Sequence, residues 1–225
     1  MICLVTDRRR LAAAGAPSHA ARVCLVAQIR HAVDAGVDLI QVRERDLEAA
    51  DLAALVTDLL TVTRATPTRL VVNDRIDVAL ACGADGVHLR GDSIPIAAAR
   101  RLAPAGFLIG RSVHGVGEAI AAAGADYLIA GTVFASSSKP AHTRWLGMEG
   151  LRSITTAVDV PVLAIGGMAG GRIGDAAEAG AAGFAAIELF MASHLDAKVP
   201  EDRVVELRQI VNIARSRFDR RNTTP

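Results

Sequence analysis

At 225 residues, with 25 basic and 24 acidic side chains giving a net charge of +1, the chain has the length of one α/β domain. That charge balance offers no electrostatic footprint for nucleic acid or an anionic membrane. Hydrophobic residues make up 51% and aromatics only 3%, so the core must be built from Ala, Val, Ile and Leu, as in buried parallel strands clad by helices.

The chain opens on an apolar run, Ile2 to Val5, with Arg8, Arg9 and Arg10 after it. A secretory signal has the reverse order, and no apolar stretch approaches the roughly 20 residues needed to span a bilayer. A cytoplasmic location is expected. The three cysteines, Cys3, Cys24 and Cys82, have no CxxC spacing, which argues against a disulfide framework or a zinc knuckle. Cys3 and Cys82 sit in apolar runs and read as buried, inert thiols.

One pattern then recurs: a helix end, Gly, a small residue, often Asp, and an apolar run. It begins at Gly36, Gly83, Gly124 and Gly180, with Asp38, Asp85 and Asp126 in the first three copies. Each Gly suits the left-handed position that stops a helix before a strand. The gaps of 47, 41 and 56 residues each hold another candidate strand, at Leu70 to Asn73, Phe107 to Gly110 and Val162 to Ile165. Eight strands are thus expected, beginning near Ile2, Leu39, Leu70, Gly86, Phe107, Tyr127, Val162 and Gly183. Helical patterns such as 46–63 and 204–217 lie between or after them. Such alternation predicts a parallel sheet, closed by eight units into a single (β/α)8 TIM barrel over 1–218, with a tail at 219–225. An open doubly wound sheet is the alternative.

In such barrels chemistry sits on the loops after the strands. After the second strand come Gln41, Arg43, Glu44 and Arg45, and alternation places Gln41, Arg43 and Arg45 on one face. Two arginines at a barrel mouth suit a phosphate or carboxylate, or else an ion pair with Glu44 or Asp46. Asn73 and Asp74 follow the third strand, and His88, Arg90, Asp92 and Ser93 lie at the end of the fourth. Asp74 and Asp92 suit an oxygen-ligated Mg²⁺ bridging phosphates, although Asp74 equally suits a helix cap. His114 follows the fifth strand, as an acid or base or as a capping residue. The loop after the sixth offers Ser136, Ser137, Ser138 and Lys139 as an oxyanion cradle, or equally as a generic serine-rich loop. Gly166 and Gly167 after the seventh let backbone N–H groups approach a phosphate, the strongest of these signals.

Taken in order, Leu4-Val-Thr-Asp7, Gln41-Val-Arg-Glu44, Val72-Asn-Asp74, Gly86-Val-His-Leu89, Gly110-Arg-Ser-Val-His114, Phe134 through Lys139 and Ile165-Gly-Gly167 resemble the thiamine phosphate synthase and TenI-like thiazole tautomerase superfamily. The likeness runs from Leu4 to about Phe190. For the synthase branch it implies joining an aminopyrimidine diphosphate to a thiazole phosphate, with Mg²⁺, through a pyrimidine carbocation as pyrophosphate leaves. By the resemblance Gln41, Arg43, Asn73 and Lys139 hold the diphosphate, with Arg45 where a lysine is usual. Asp74 and Asp92 carry Mg²⁺, Ser112, Ser136 and Ser138 contact substrate, and Gly166 and Gly167 take the thiazole phosphate. Lys139, Arg43 and His114 form the expected catalytic set.

Several residues depart from the family pattern. Ser93 stands where the second metal-binding Asp belongs, with Asp92 one place early, and Thr132 replaces a usual proline. Glu188 stands where a serine faces the thiazole phosphate. The tautomerase branch is the second reading, with His114 as the proton-transfer residue and no metal. A non-catalytic thiamine-pathway binding protein is a third. The expected partners are phosphorylated small molecules and a second copy in a homodimer, with no nucleic acid and no membrane.

Overall fold

The computed structural model describes residues 1–12, 18–135, 145–191 and 201–219. Eight strands alternate with helices: β1 Ile2–Val5, α1 Ser18–Asp34, β2 Leu39–Val42, α2 Ala49–Thr63, β3 Arg69–Asn73, α3 Ile76–Cys82, β4 Gly86–Leu89 and α4 Ile96–Leu102. There follow β5 Leu108–Val113, α5 Val116–Ala121, β6 Tyr127–Gly131, α6 Gly147–Ala157, β7 Val162–Ile165, α7 Arg172–Glu178, β8 Gly183–Ala186 and α8 Glu201–Asp219. Every neighbouring pair is parallel and β8 returns to β1, so the sheet is a closed barrel and the open alternative falls. Six of the eight expected strand starts coincide, and β3 and β5 begin within one residue of theirs. The expected tail, 219–225, falls almost wholly outside the described residues. Among the described residues no helix is long and apolar enough to cross a membrane.

The outer faces of the strands pack against the helices through Leu4, Ile40, Leu70, Val72, Val87, Ile109, Leu128 and Ala164, all inaccessible to solvent. The inner faces form a second cluster of Cys3, Val5, Leu39, Val71, Tyr127, Ile129, Leu163 and Ala185. Cys3 is indeed buried, and burial pushes its thiol far above the ordinary range, so it is inert. Cys82, by contrast, is only half-buried.

The recurring Gly-x-Asp pattern has a structural cause at each residue. Gly83, at φ 66, turns α3 back on itself and its N–H returns to Ala79 and Leu80. The Asp two residues on then clamps two strands together at the bottom of the barrel. Asp38 donates its N–H to Ile2 and its carboxylate accepts the N–H of Ile2 at 2.7 Å. Asp85 does the same to Leu70 at 2.7 Å, and Asp126 to Ile109 at 2.6 Å. Each carboxylate also meets an arginine: Arg215, Arg69 and Arg100 in turn.

Candidate functional site

The β2 strand ends at Val42, so Arg43 and Arg45 lie on the loop beyond it and do not share a strand face with Gln41. Gln41 points into the barrel, buried, and its amide donates to Asn73 Oδ1 at 2.9 Å. That bond leaves the Asn73 N–H₂ group to donate elsewhere. Glu44 is buried too, and it is taken by Arg8, not by Arg43 or Arg45. Its carboxylate accepts from Thr6 Oγ1 at 2.6 Å and from the Arg8 backbone and guanidinium, while Arg8 also forks onto Asp46. Burial still raises the Glu44 pKa against these bonds.

The ion-pair alternative for Arg43 is thereby removed. Its backbone N–H is fixed by Thr6 Oγ1 at 2.9 Å, yet its guanidinium has no hydrogen-bond or salt-bridge partner among the described residues. Burial, and then the like charge of Arg45, lower the Arg43 pKa. A half-buried guanidinium without a hydrogen bond or salt bridge has the donors to take an anion.

At the β3 and β4 ends, register places Asn73 opposite His88 and so brings Asp74 beside Arg90. Asp74 caps no helix: Arg75 occupies the N-cap of α3 without a side-chain bond. Instead Asp74, at φ 63, accepts a short hydrogen bond from Ser93 Oγ and lies 3.3 Å from Arg90 Nε. Asp92 accepts from the same Nε at 2.9 Å and from Nη2 at 2.7 Å. These bonds hold the Asp92 carboxyl below its ordinary range. Arg111 pins the loop from below through the carbonyls of Gly91 and Ile94.

Inside the barrel, His88 stands between Tyr127 Oη at 3.2 Å and Ser112 Oγ at 2.9 Å. Burial lowers its pKa to about 3, so the ring is neutral. A neutral imidazole has one N–H and one lone pair, so one neighbour donates to it and the other accepts from it. His114 lies at the rim, 61% exposed, with Nδ1 3.1 Å from Glu118, which also accepts the His114 backbone N–H.

Gly166 and Gly167 turn the chain after β7 at φ 103 and 63. A Cβ on Gly166 would overlap Thr132, and one on Gly167 would come within 2.6 Å of the Ala135 carbonyl. Both glycines are therefore needed where this turn meets the loop after β6. Arg172, at the start of α7, donates to the Gly167 carbonyl at 2.9 Å and lies 5.1 Å over the Phe134 ring. Glu188 is paired with Arg10 at 2.9 Å, which offsets the charge a phosphate nearby would meet. Ser136, Ser138 and Lys139 lie outside the described residues. Sequence reasoning missed Arg8, Arg172 and the bridging role of Arg90: Arg8 meets Glu44, 36 residues on, and Arg90 meets Asp74 only once the strands are in register.

The model of the thiamine monophosphate synthase family matches residues 9–190. The chain belongs to that family. A thiamine-phosphate synthase of Methanoregula boonei is 46% identical over 160 residues, 70% of this chain and 74% of that protein. One of Methanoculleus marisnigri is 40% identical over 184 residues, 81% of this chain and 78% of its own. Among solved structures, thiamine phosphate pyrophosphorylase from Pyrococcus furiosus superposes with TM-score 0.78 at 33% identity, covering 96% of both chains. A 3-hexulose-6-phosphate synthase structure, at 19% identity and TM-score 0.65, shares the fold alone.

Proposed function

We propose that this chain is a transferase of the synthase type, joining hydroxymethylpyrimidine diphosphate to a thiazole phosphate to give thiamine phosphate and pyrophosphate. The observation that carries the reading is Arg43, half-buried at the barrel mouth with no hydrogen bond or salt bridge from its guanidinium among the described residues, in a chain whose relatives are named for this reaction. In the reaction the bond between the pyrimidine methylene carbon and the diphosphate oxygen breaks, and its electron pair leaves with pyrophosphate. The thiazole nitrogen then attacks the methylene carbon to form the new C–N bond. The protein's task is to hold the charge that accumulates on the leaving group. Arg43, Arg45 and the free Asn73 N–H₂ group do this on the β2 and β3 side. Lys139, Ser136 and Ser138 would do it from the loop after β6. The N–H groups at Gly166 and Gly167 take the thiazole phosphate. Ser112, backed by neutral His88, orients the substrate between them.

Mg²⁺ is implied by the resemblance, held by Asp74 and Asp92, and when bound it would neutralise phosphate oxygens. The side chains here do not fit it. Both carboxylates are already engaged by Arg90: Asp92 accepts its Nε–H at 2.9 Å and Asp74 lies 3.3 Å from the same nitrogen, so an ion there would sit against a guanidinium. Ser93 stands at the second acidic position and donates to Asp74, which occupies one of its oxygens. Among the described residues no three His, Cys, Asp or Glu side chains converge as a metal site.

That mismatch favours one second reading, a thiazole tautomerase, which needs neither diphosphate nor metal. His114 would move the proton, oriented by Glu118. Purified protein given both synthase substrates, beside a tautomerase substrate, separates the two. We expect thiamine phosphate to form, and His114→Asn to change that rate by only a small factor. Tautomerisation without thiamine phosphate formation, lost roughly 10²-fold in His114→Asn, would replace the first reading with the second.

A further inference from the structure

We propose that Arg90 supplies from the protein the positive charge that a divalent cation is implied to supply, so that this site holds diphosphate without metal. The proposal rests on the synthase reading and deepens it. Arg90 directly follows β4, and its guanidinium forms salt bridges to both Asp74 and Asp92. Both carboxylates have an oxygen near its Nε, Asp92 accepting the N–H at 2.9 Å and Asp74 in a salt bridge at 3.3 Å, so both are already turned to a cation. A divalent ion entering there would meet a fixed like charge about 3 Å away, and neither carboxylate could leave Arg90 without uncovering that charge.

The rest of the loop is built around the guanidinium. Ser93 Oγ accepts the Arg90 backbone N–H at 2.9 Å and donates in turn to Asp74. An aspartate at position 93 would place a second carboxylate against Asp74 and would need a cation between them. Serine needs none and joins the two residues by hydrogen bonds. Arg111 fixes the loop carbonyls on either side, at 2.8 and 2.7 Å. Asp92 is the more exposed member, its side chain 74% exposed and salt-bridged to Arg90, whereas Asp74 is 27% exposed and tied to Ser93. When diphosphate arrives, Asp92 swings into solvent and the two N–H groups it vacates form a fork on two phosphate oxygens, with Asp74 keeping the guanidinium aimed. Arg43 and Arg45 meet the same anion from the β2 side.

Inorganic pyrophosphate and Mn²⁺ are the probes. Calorimetric titration of the purified chain with pyrophosphate should give the same affinity with excess Mg²⁺ as with a chelator, within about threefold. Arg90→Ala should weaken binding about tenfold or more, the scale of two charge-assisted hydrogen bonds, and Arg90→Lys, which keeps charge but loses the fork, should weaken it less. Electron paramagnetic resonance should find no Mn²⁺ bound to the unaltered chain, and bound Mn²⁺ in the double variant Arg90→Gly with Ser93→Asp. Circular dichroism confirms that each variant keeps its barrel. Pyrophosphate binding that requires Mg²⁺, or Mn²⁺ bound with Arg90 in place, overturns the proposal and leaves the synthase reading standing. Absence of pyrophosphate binding with or without Mg²⁺ overturns both.

Discussion

His88 shows how much of this site is set by a residue whose identity matters through its surroundings. In sequence it is a polar residue at the end of an apolar run. Only closure of the barrel reveals that it faces Tyr127 and Ser112 in the interior. Its pKa is lowered from 6.5 to about 3 by burial first, and by Arg111 second. The sign of the consequence follows from proton counting. Below pH 6.5 the unfolded chain takes up a proton that the folded chain refuses until about pH 3. Stability attributable to neutral His88 is therefore fully present above pH 6.5 and falls as the pH drops towards 3. Between pH 7 and 5 the loss should be roughly 2 kcal/mol, at 1.36 kcal/mol for each unit that separates the two states. Urea unfolding at the two pH values measures it, and His88→Gln, which cannot titrate, should flatten the dependence by that amount. An unchanged slope in the variant would mean that other groups dominate acid sensitivity.

At the scale of elements, the strands were legible because each is a short apolar run bounded by Gly or a polar end, and the barrel follows from counting eight of them. Mouth residues were legible as types but not as pairs. Arg43 and Glu44 are adjacent in sequence, yet Glu44 turns inward to Thr6 and Arg8 on the β1 loop and Arg43 is left without an ion pair. No local pattern could separate that arrangement from an Arg43–Glu44 pair, since the partner lies 36 residues away. Asp74 and Arg90 likewise meet only through the β3–β4 register. Glu44→Ala should cost about 3 kcal/mol, because it removes a buried partner from Arg8 and an acceptor from Thr6. It should also raise the KM for the diphosphate substrate, since Thr6 fixes the Arg43 backbone. A stability loss with an unchanged KM would show that Arg43 does not depend on this network. The β7 turn makes a complementary prediction. Gly167→Ala forces a side chain into φ 63 and against the Ala135 carbonyl, costing about 1–2 kcal/mol. Its kinetic effect should fall on the thiazole phosphate KM, by about tenfold or more, and leave the diphosphate KM within a small factor. Equal effects on both would place the turn outside the thiazole phosphate site.

Across the whole molecule, the two faces of the barrel divide the work. The residues of the proposed site lie at the top, and the polar clamps at the bottom close the barrel. The Gly-x-Asp repeat belongs to the bottom, and its first three copies each clamp an odd strand to the even strand that follows. The fourth copy lacks the clamp. Ala182 occupies the equivalent register position, donating its N–H to Val162 at 2.8 Å as Asp126 does to Ile109. It has no carboxylate to accept the Val162 N–H in return. The N-terminal ammonium of Met1 closes this corner instead, donating to the Ala182 carbonyl at 2.7 Å. Ala182→Asp should therefore install the missing clamp and place a negative charge beside that ammonium. The expected gain is about 1 kcal/mol, the net worth of one hydrogen bond, seen as a higher urea midpoint with an unchanged slope. Asp126→Ala, which opens the corresponding clamp between β5 and β6, should lower the midpoint by a similar or larger amount. Neither change should alter the KM for either substrate, since both lie at the end of the barrel away from the ligands. A midpoint lowered by Ala182→Asp would mean that the new carboxylate is left unpaired and that this corner has no room for the geometry of the other three.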